Sequence, residues 1–333
     1  MAKEQTVLGL LMEGIDFWKK QDDYNPDLLP YRLLLKWIPL LHKTEQKNLQ
    51  MNAFIERLFR FLEKNQIDAV LMKGQGIAQC YDNPLWRTCG DIDLMLDEDN
   101  YRKAKLSLAP MITSVVEESS YLLHYGMSLK GGFIVELHGT MRTRLSRKID
   151  GFVDKIQTET LGSHKVRIWQ NGQTGIPLPS PDEDVLFCFT HILHHLFIEG
   201  VGLRQICDWC RLLWTYRHDL DVSLLESRLR QMKILSEWKA FAALAVDWLG
   251  MEETAVPLYD GSRKWGKKAS RLLSLIFETG NMGRKRDTGE GRGFIGRLIR
   301  LRLRTWDCIR FIPIFPIDAI RLWIGMVATA KKH

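Results

Sequence analysis

Long uninterrupted apolar runs are missing from this chain. No stretch of about 18 or more hydrophobic residues escapes a charge, because Asp318 and Arg321 break the most apolar part of the C-terminal segment, so no membrane-spanning helix is expected. Cysteine is scarce and scattered. Six residues (Cys80, Cys89, Cys188, Cys207, Cys210 and Cys308) without framework spacing fit reduced thiols better than a disulfide scaffold. Near the N-terminus, Leu8, Leu10 and Leu11 are interrupted by Glu13 and Asp16, and no small-residue cleavage site follows. No signal peptide is read, and the expected compartment is the cytoplasm. Internal repeats are absent. Residues 1–280 also lack any excess of one charge, with 35 basic and 36 acidic residues, which speaks against a nucleic-acid groove or an RNA-modifying enzyme.

What is present is ample material for a core. The chain has 333 residues, 45% of them hydrophobic and 26% charged, which excludes disordered and collagen-like classes and suggests about two domains. The formal net charge of +7 resides in the C-terminal segment, where residues 281–333 hold 12 basic and 4 acidic residues.

From Lys43 to Gln66 the apolar positions Met51, Phe54, Ile55, Leu58, Phe59 and Leu62 recur every three or four residues, as in an amphipathic helix. Asp68 to Met72 reads as a strand ending in a Lys73-Gly74 turn, Gly76 to Tyr81 as a brief helix and Ile92 to Leu96 as a second strand. Tyr121 to Leu129 and Phe133 to His138 flank Lys130-Gly131-Gly132 and predict a hairpin. At Ser180-Pro181-Asp182-Glu183 a capping box with Pro at the first helical position starts a helix. Helical periodicity then continues through 203–216, 224–235 and 238–249. The expected organisation is 1–44 as N-terminal helices, 45–176 as an α+β core, 177–280 as a helical domain, and 281–333 as a Gly-rich linker with a basic amphipathic tail.

Chemistry concentrates in the α+β part. In Asp91-Ile92-Asp93 the two-residue period of a strand puts both carboxylates on one face, where they repel unless solvated or shared by a divalent cation. Glu136 lies in the apolar strand Phe133 to His138 and is costly to bury alone, so a neighbouring strand would join it to Asp91 and Asp93 around one or two metals. Lys73, Gly74 and Gly76 occupy a strand-to-helix turn of the kind that aims backbone N–H groups at a phosphate. Carboxylates and phosphate cradle together point to metal-assisted phosphoryl or nucleotidyl transfer.

The spaced set Leu71-Met72-Lys73-Gly74, Tyr81, Arg87 four residues before Asp91-Ile92-Asp93-Leu94, and Val135-Glu136-Leu137-His138 resembles the uncharacterised nucleotidyltransferase family of the DNA polymerase β-like superfamily. Pro181-x-x-Asp184 and Leu203-Arg204-x-x-x-Asp208 extend the resemblance over about residues 45–215. It implies a minimal nucleotidyltransferase core, a small mixed sheet with flanking helices, plus an α-helical domain, with the active site in the cleft between them. It also implies Asp91, Asp93 and Glu136 as catalytic metal ligands for Mg²⁺, two ions with Mn²⁺ as a substitute. Lys73, Gly74, Gly76 and Arg87 are then expected to bind the nucleoside triphosphate, Arg87 as a phosphate clamp. Glu136 is expected as general base, and His138, His194, Arg204 and Asp208 border an unidentified acceptor. Two features depart from the superfamily: Lys73-Gly74 stands where it has Gly-Ser, and Glu136 stands where many members have Asp. A catalytically silent nucleotide- or partner-binding scaffold is the alternative, against which the intact Asp91, Asp93 and Glu136 argue.

His191, His194 and His195 have a spacing compatible with shared metal ligation, but no acid completes a zincin pattern, and they are read as lining a cleft or the core. Cys207-Asp208-Trp209-Cys210 falls within a helix and reads as buried thiols. Arg204 and Asp208 suit an i, i+4 pair on one helix face. The tail, 294–333, mixes arginines with Trp, Leu and Ile. That composition fits either an anionic membrane surface on the inner face or packing on the fold or a second subunit.

Overall fold

The computed structural model describes residues 31–163, 165–198, 200–279, 305, 309–317 and 319–320. The apolar stripe read at 51–62 is the buried face of α1 (Tyr31–Lys64), with Met51, Phe54, Ile55, Leu58, Phe59 and Leu62 all in the core. Helix α1 stops where Gln66 turns to a positive φ of 54°. The chain then enters β1 (Val70–Met72), the short helix α2 (Gly74–Ala78) and β2 (Asp91–Met95). Asp97 caps α3 (Glu98–Leu108), its side chain accepting from the Asn100 N–H at 2.7 Å. Next come β3 (Ile112–Ser119), β4 (His124–Leu129) and β5 (Ile134–His138).

These five strands form one mixed sheet in the order β1-β2-β5-β4-β3. Only the β2–β5 pairing is parallel, and it aligns Asp93 with Glu136 and Met95 with His138. The hairpin expected around Lys130-Gly131-Gly132 is β4–β5, paired antiparallel so that His124 faces His138. Because side chains alternate, Ile92, Leu94, Val135, Leu137, Tyr125, Met127 and Leu129 turn to one face, where they join the apolar faces of α1 and α3 in a single core. Asp91, Asp93, Glu136, His138 and His124 necessarily turn to the other.

Helix α4 (Arg147–Ser163) is tied to the sheet through Gln157, whose Nε2 donates to the Leu96 and Gly139 carbonyls at 2.8 and 3.1 Å. A second, two-stranded sheet of β6 (Val166–Asn171) and β7 (Thr174–Pro179) turns at Gly172, φ 62°. Then come α5 (Pro181–Ile198), α6 (Leu203–Thr215), α7 (Val222–Met232), α8 (Leu235–Asp247) and α9 (Arg263–Thr279). Helix α5 begins at the Pro181 that the capping sequence marks.

The chain divides into two compact units. The first comprises residues 1–142, 150–188 and 207–220, and the second 143–149, 189–206 and 221–333. The division therefore runs within α5 and α6, and it does not coincide with the 176/177 limit drawn from the sequence. In the second unit, Phe189 meets Trp238 and Phe241 edge-on at 4.9 and 5.5 Å between ring centroids. Phe197 packs likewise on Phe311 and Phe315 of the tail, at 5.0 and 6.0 Å. Phe311, Ile314 and Phe315 are buried, so this part of the tail belongs to the unit's core, and Arg310 pairs with Glu278 at its surface. Residues 281–304 and 321–333, with the linker and most of the basic tail, lie outside the described residues. Among the described residues no helix is long and apolar enough to cross a membrane.

Candidate active site

The site is built on the polar face of the five-stranded sheet, in the first unit. Asp93, only 3% exposed, is its hub: His138 Nε2 lies 2.8 Å and Lys73 Nζ 3.3 Å from its Oδ1. Glu136, one strand away, has His124 Nε2 at 3.3 Å and His138 Nε2 at 3.5 Å from its Oε2. The His124 and His138 rings lie 4.9 Å apart. Asp91 stands half-buried on the same face at the start of β2. The structure thus brings together Asp91, Asp93, Glu136, Lys73 and His138, and it adds His124. His124 carries no local sequence signal, and the antiparallel register of β4 against β5 is what brings it beside His138.

Charge on this face is unevenly compensated. Burial works against the Lys73 ammonium, but Asp93, Glu136 and Asp91 outweigh it and raise its pKa, so Lys73 stays charged. Burial likewise opposes the Asp93 carboxylate, yet Lys73 and the His138 hydrogen bond hold it below the ordinary value. Glu136 is held low in spite of burial by its hydrogen bonds to His124 and His138. His138 is raised, its burial outweighed by its hydrogen bonds to Asp93 and Glu136. Asp91 is left over: burial, Asp93 and Glu136 raise its pKa more than Lys73 and Arg87 lower it.

Lys73 reaches Asp93 from a strained turn. Its φ of 50° with ψ −139° is rare for a side-chain-bearing residue. Gly74 follows at φ 36°, where a Cβ would meet Cys89 Sγ at 3.0 Å and the Asp91 carbonyl at 3.4 Å. Glycine is needed there because the turn runs directly against the start of β2. Gly76 does different work. A Cβ on it would meet Leu178 Cδ2 at 2.9 Å, so it admits β7, and all five residues of α2 are buried.

Arg87 is not turned to the carboxylates. Its guanidinium grips Asp208 with Nε–Oδ1 3.1 Å and Nη2–Oδ2 2.8 Å, and the Tyr81 hydroxyl donates to the same Oδ1 at 2.9 Å, all three residues being buried. Arg87, expected from the sequence as a phosphate clamp, and Asp208, expected at the acceptor, are thus placed in a brace between the 81–87 loop and α6. Asp184, of the Pro181-x-x-Asp184 pattern, is similarly buried and paired with Arg167. The 84–89 loop is also fastened from α1, Asn48 Nδ2 donating to the Leu85 and Arg87 carbonyls at 2.6 and 2.7 Å. Cys207 and Cys210 are buried thiols, Cys207 pushed up to about 12 by burial and Asp208. In the second unit, His194 Nδ1 lies 2.7 Å from the Thr143 carbonyl, and Arg204 begins α6, half-buried.

Among the described residues, the three side chains whose potential ligand atoms all lie within 4.8 Å of one another are His124, Glu136 and His138. Asp91 and Asp93 flank that trio without belonging to it.

A small mixed sheet carrying acids in this register, with helices packed on its apolar face, defines an α+β fold of the nucleotidyltransferase type. The chain belongs to the family described as uncharacterised nucleotidyltransferases, whose model matches residues 1–250. Among solved structures, an antigenic nucleotidyltransferase-like protein from Paracoccidioides brasiliensis is similar at 14% identity, over 63% of this chain and 94% of that one, with a TM-score of 0.37. No curated protein matches the chain.

Proposed function

We propose that the protein transfers a nucleoside monophosphate from a nucleoside triphosphate to an acceptor hydroxyl. The observation that carries this reading is the in-register pairing of Asp93 with Glu136, with Asp91 on the same face and Lys73 beside them. The residues fit a divalent cation. Asp91 and Glu136 are half-buried carboxylates, and burial, with Asp93 and Glu136 close by, raises the pKa of Asp91, so a cation beside it would favour its ionised form. Asp91, Asp93 and Glu136 would hold Mg²⁺, an oxygen-seeking ion, and His124 and His138 would extend the set toward Mn²⁺. When bound, such an ion supplies charge neutralisation on the triphosphate and a more acidic acceptor hydroxyl.

Lys73, held charged, takes a triphosphate oxygen in the role that a serine has in the wider superfamily. Glu136, the general base expected from the sequence, is held low by two imidazoles, and Asp91 is engaged as a ligand of the ion. The acceptor oxygen attacks the α-phosphorus, the bond to pyrophosphate breaks, and the acceptor's proton leaves to water.

The experiment is a screen of the four triphosphates, labelled at the α-phosphate, against candidate acceptors including the protein itself, with Mg²⁺ or Mn²⁺. Label is expected on one acceptor class with wild type and not with Asp91→Asn/Asp93→Asn. One observation favours a second reading: Lys73 and His138 already neutralise Asp93 much as a metal would, as in a binding protein that transfers nothing. Nucleotide binding without label transfer to any acceptor selects that reading.

A further inference from the structure

Two imidazoles and one carboxylate meet where β4 pairs with β5. His124 stands directly opposite His138 in that antiparallel ladder, and Glu136, two residues before His138, turns to the same face. The residue opposite Glu136 is Gly126, so no side chain of β4 stands beside the carboxylate at that position, and the His124 ring reaches it along the diagonal. Glu136 Oε2 lies 3.3 Å from His124 Nε2 and 3.5 Å from His138 Nε2. The ligand atoms of the three side chains all lie within 4.8 Å of one another.

These separations select the kind of ion. Two ligand atoms each about 2.05 Å from one ion stand about 3.3 Å apart across a tetrahedral angle and about 2.9 Å apart across an octahedral right angle. The observed 3.3 and 3.5 Å match the tetrahedral edge. The donor set agrees, because imidazole nitrogen suits Zn²⁺ and its neighbours whereas Mg²⁺ prefers oxygen alone. Three protein ligands leave a tetrahedral ion its fourth position for an oxygen ligand such as water. All three side chains are half-buried, held by the sheet yet reached by solvent. Asp93 Oδ1, 2.8 Å from His138 Nε2, is the group that an ion there displaces, and Lys73 Nζ, 3.3 Å from that oxygen, stays behind as its counter-ion.

We propose that His124, Glu136 and His138 form a tetrahedral transition-metal site of the zinc class, separate from the Mg²⁺ that Asp91 and Asp93 would hold, with the Glu136 carboxylate between the two. Binding releases the imidazole hydrogens that point at the carboxylates. The site is defined by binding and does not rest on the nucleotidyl-transfer reading.

The test is titration of the metal-free full chain with Co²⁺ as a coloured stand-in for Zn²⁺, in excess Mg²⁺, followed by visible absorption. One ion should bind with the intense bands of tetrahedral cobalt, and Zn²⁺ should displace it. His124→Gln should weaken binding by about tenfold or more, while Asp91→Asn, which alters the oxygen-rich set alone, should leave the cobalt bands in place. In parallel, Zn²⁺ should raise the unfolding temperature of wild type and leave that of His124→Gln unmoved, circular dichroism confirming that both fold. No binding at micromolar Co²⁺, equal affinity with and without His124, or loss of the bands in Asp91→Asn overturns the proposal. Each of these outcomes is read without turnover, so failure here leaves nucleotidyl transfer to its own test.

Discussion

Asp93 is the most heavily engaged side chain of the sheet site, and its pairing with His138 makes a prediction about pH. A His whose folded pKa is raised contributes stability fully below its ordinary value of 6.5 and loses it as pH rises through the folded value. An Asp whose pKa is lowered contributes above its ordinary value of 3.8 and loses that contribution as pH falls through the folded one. In metal-free protein the stability difference between wild type and His138→Gln should therefore be largest between those two values and shrink above neutrality. Denaturant midpoints across that range, in chelator, measure it, and a difference independent of pH contradicts the pairing. At the acids proposed to hold the metal, Asp91→Asn/Asp93→Asn keeps shape and removes charge, so transfer should fall on the order of 100-fold or more while the fold survives. Arg87 separates brace from clamp. Replacing it by Met strands the buried Asp208 carboxylate and should cost about 3–5 kcal/mol, most of it recovered in Arg87→Met/Asp208→Leu. A phosphate clamp would instead leave stability intact and weaken nucleotide binding alone.

Among the elements, the turn from β1 into α2 is tightly tied to the sheet site, because its shape carries Lys73 to Asp93. Gly74→Ala should cost about 1–3 kcal/mol, since the backbone there is left-handed and the new methyl presses on Cys89 Sγ. Thermal unfolding checks this, and an unchanged midpoint would mean that the turn relaxes freely. The same scale shows what the sequence makes legible. Helix α1 was readable because its apolar stripe is one-sided, and β2 and β5 because acids interrupt apolar strands at a two-residue period. Strand β3 was not, since it is exposed along most of its length and shows no alternation. Strand β7 was hidden by Pro177 and Pro179, residues that ordinarily argue against a paired strand and here occupy a two-stranded sheet. Asp91, Asp93, Glu136, Lys73 and His138 were legible from local patterns alone. The partners of Arg87 and the arrival of His124 were not, because they depend on contacts 121 residues apart in one case and on strand register in the other.

For the whole molecule, the tail and the chemistry make separate claims. Residues 309–317 include Phe311, Ile314 and Phe315, buried in the second unit, and Arg271 Nη1 donates to the Pro313 carbonyl at 3.2 Å. A chain ending at Gly293 should therefore unfold at lower temperature and aggregate, and sedimentation with anionic liposomes shows whether the rest of the tail adds membrane binding. Equal stability of the truncated chain would remove the tail from the core. Nucleotidyl transfer at the Asp91–Asp93–Glu136 face, as proposed, is tested most simply by comparing one triphosphate labelled at the α-phosphate with the same triphosphate labelled at the γ-phosphate. The α-label should appear on the acceptor while γ-label leaves as pyrophosphate, both dependent on Asp91 and Asp93. Label on the acceptor from the γ-position, or none from either, contradicts it.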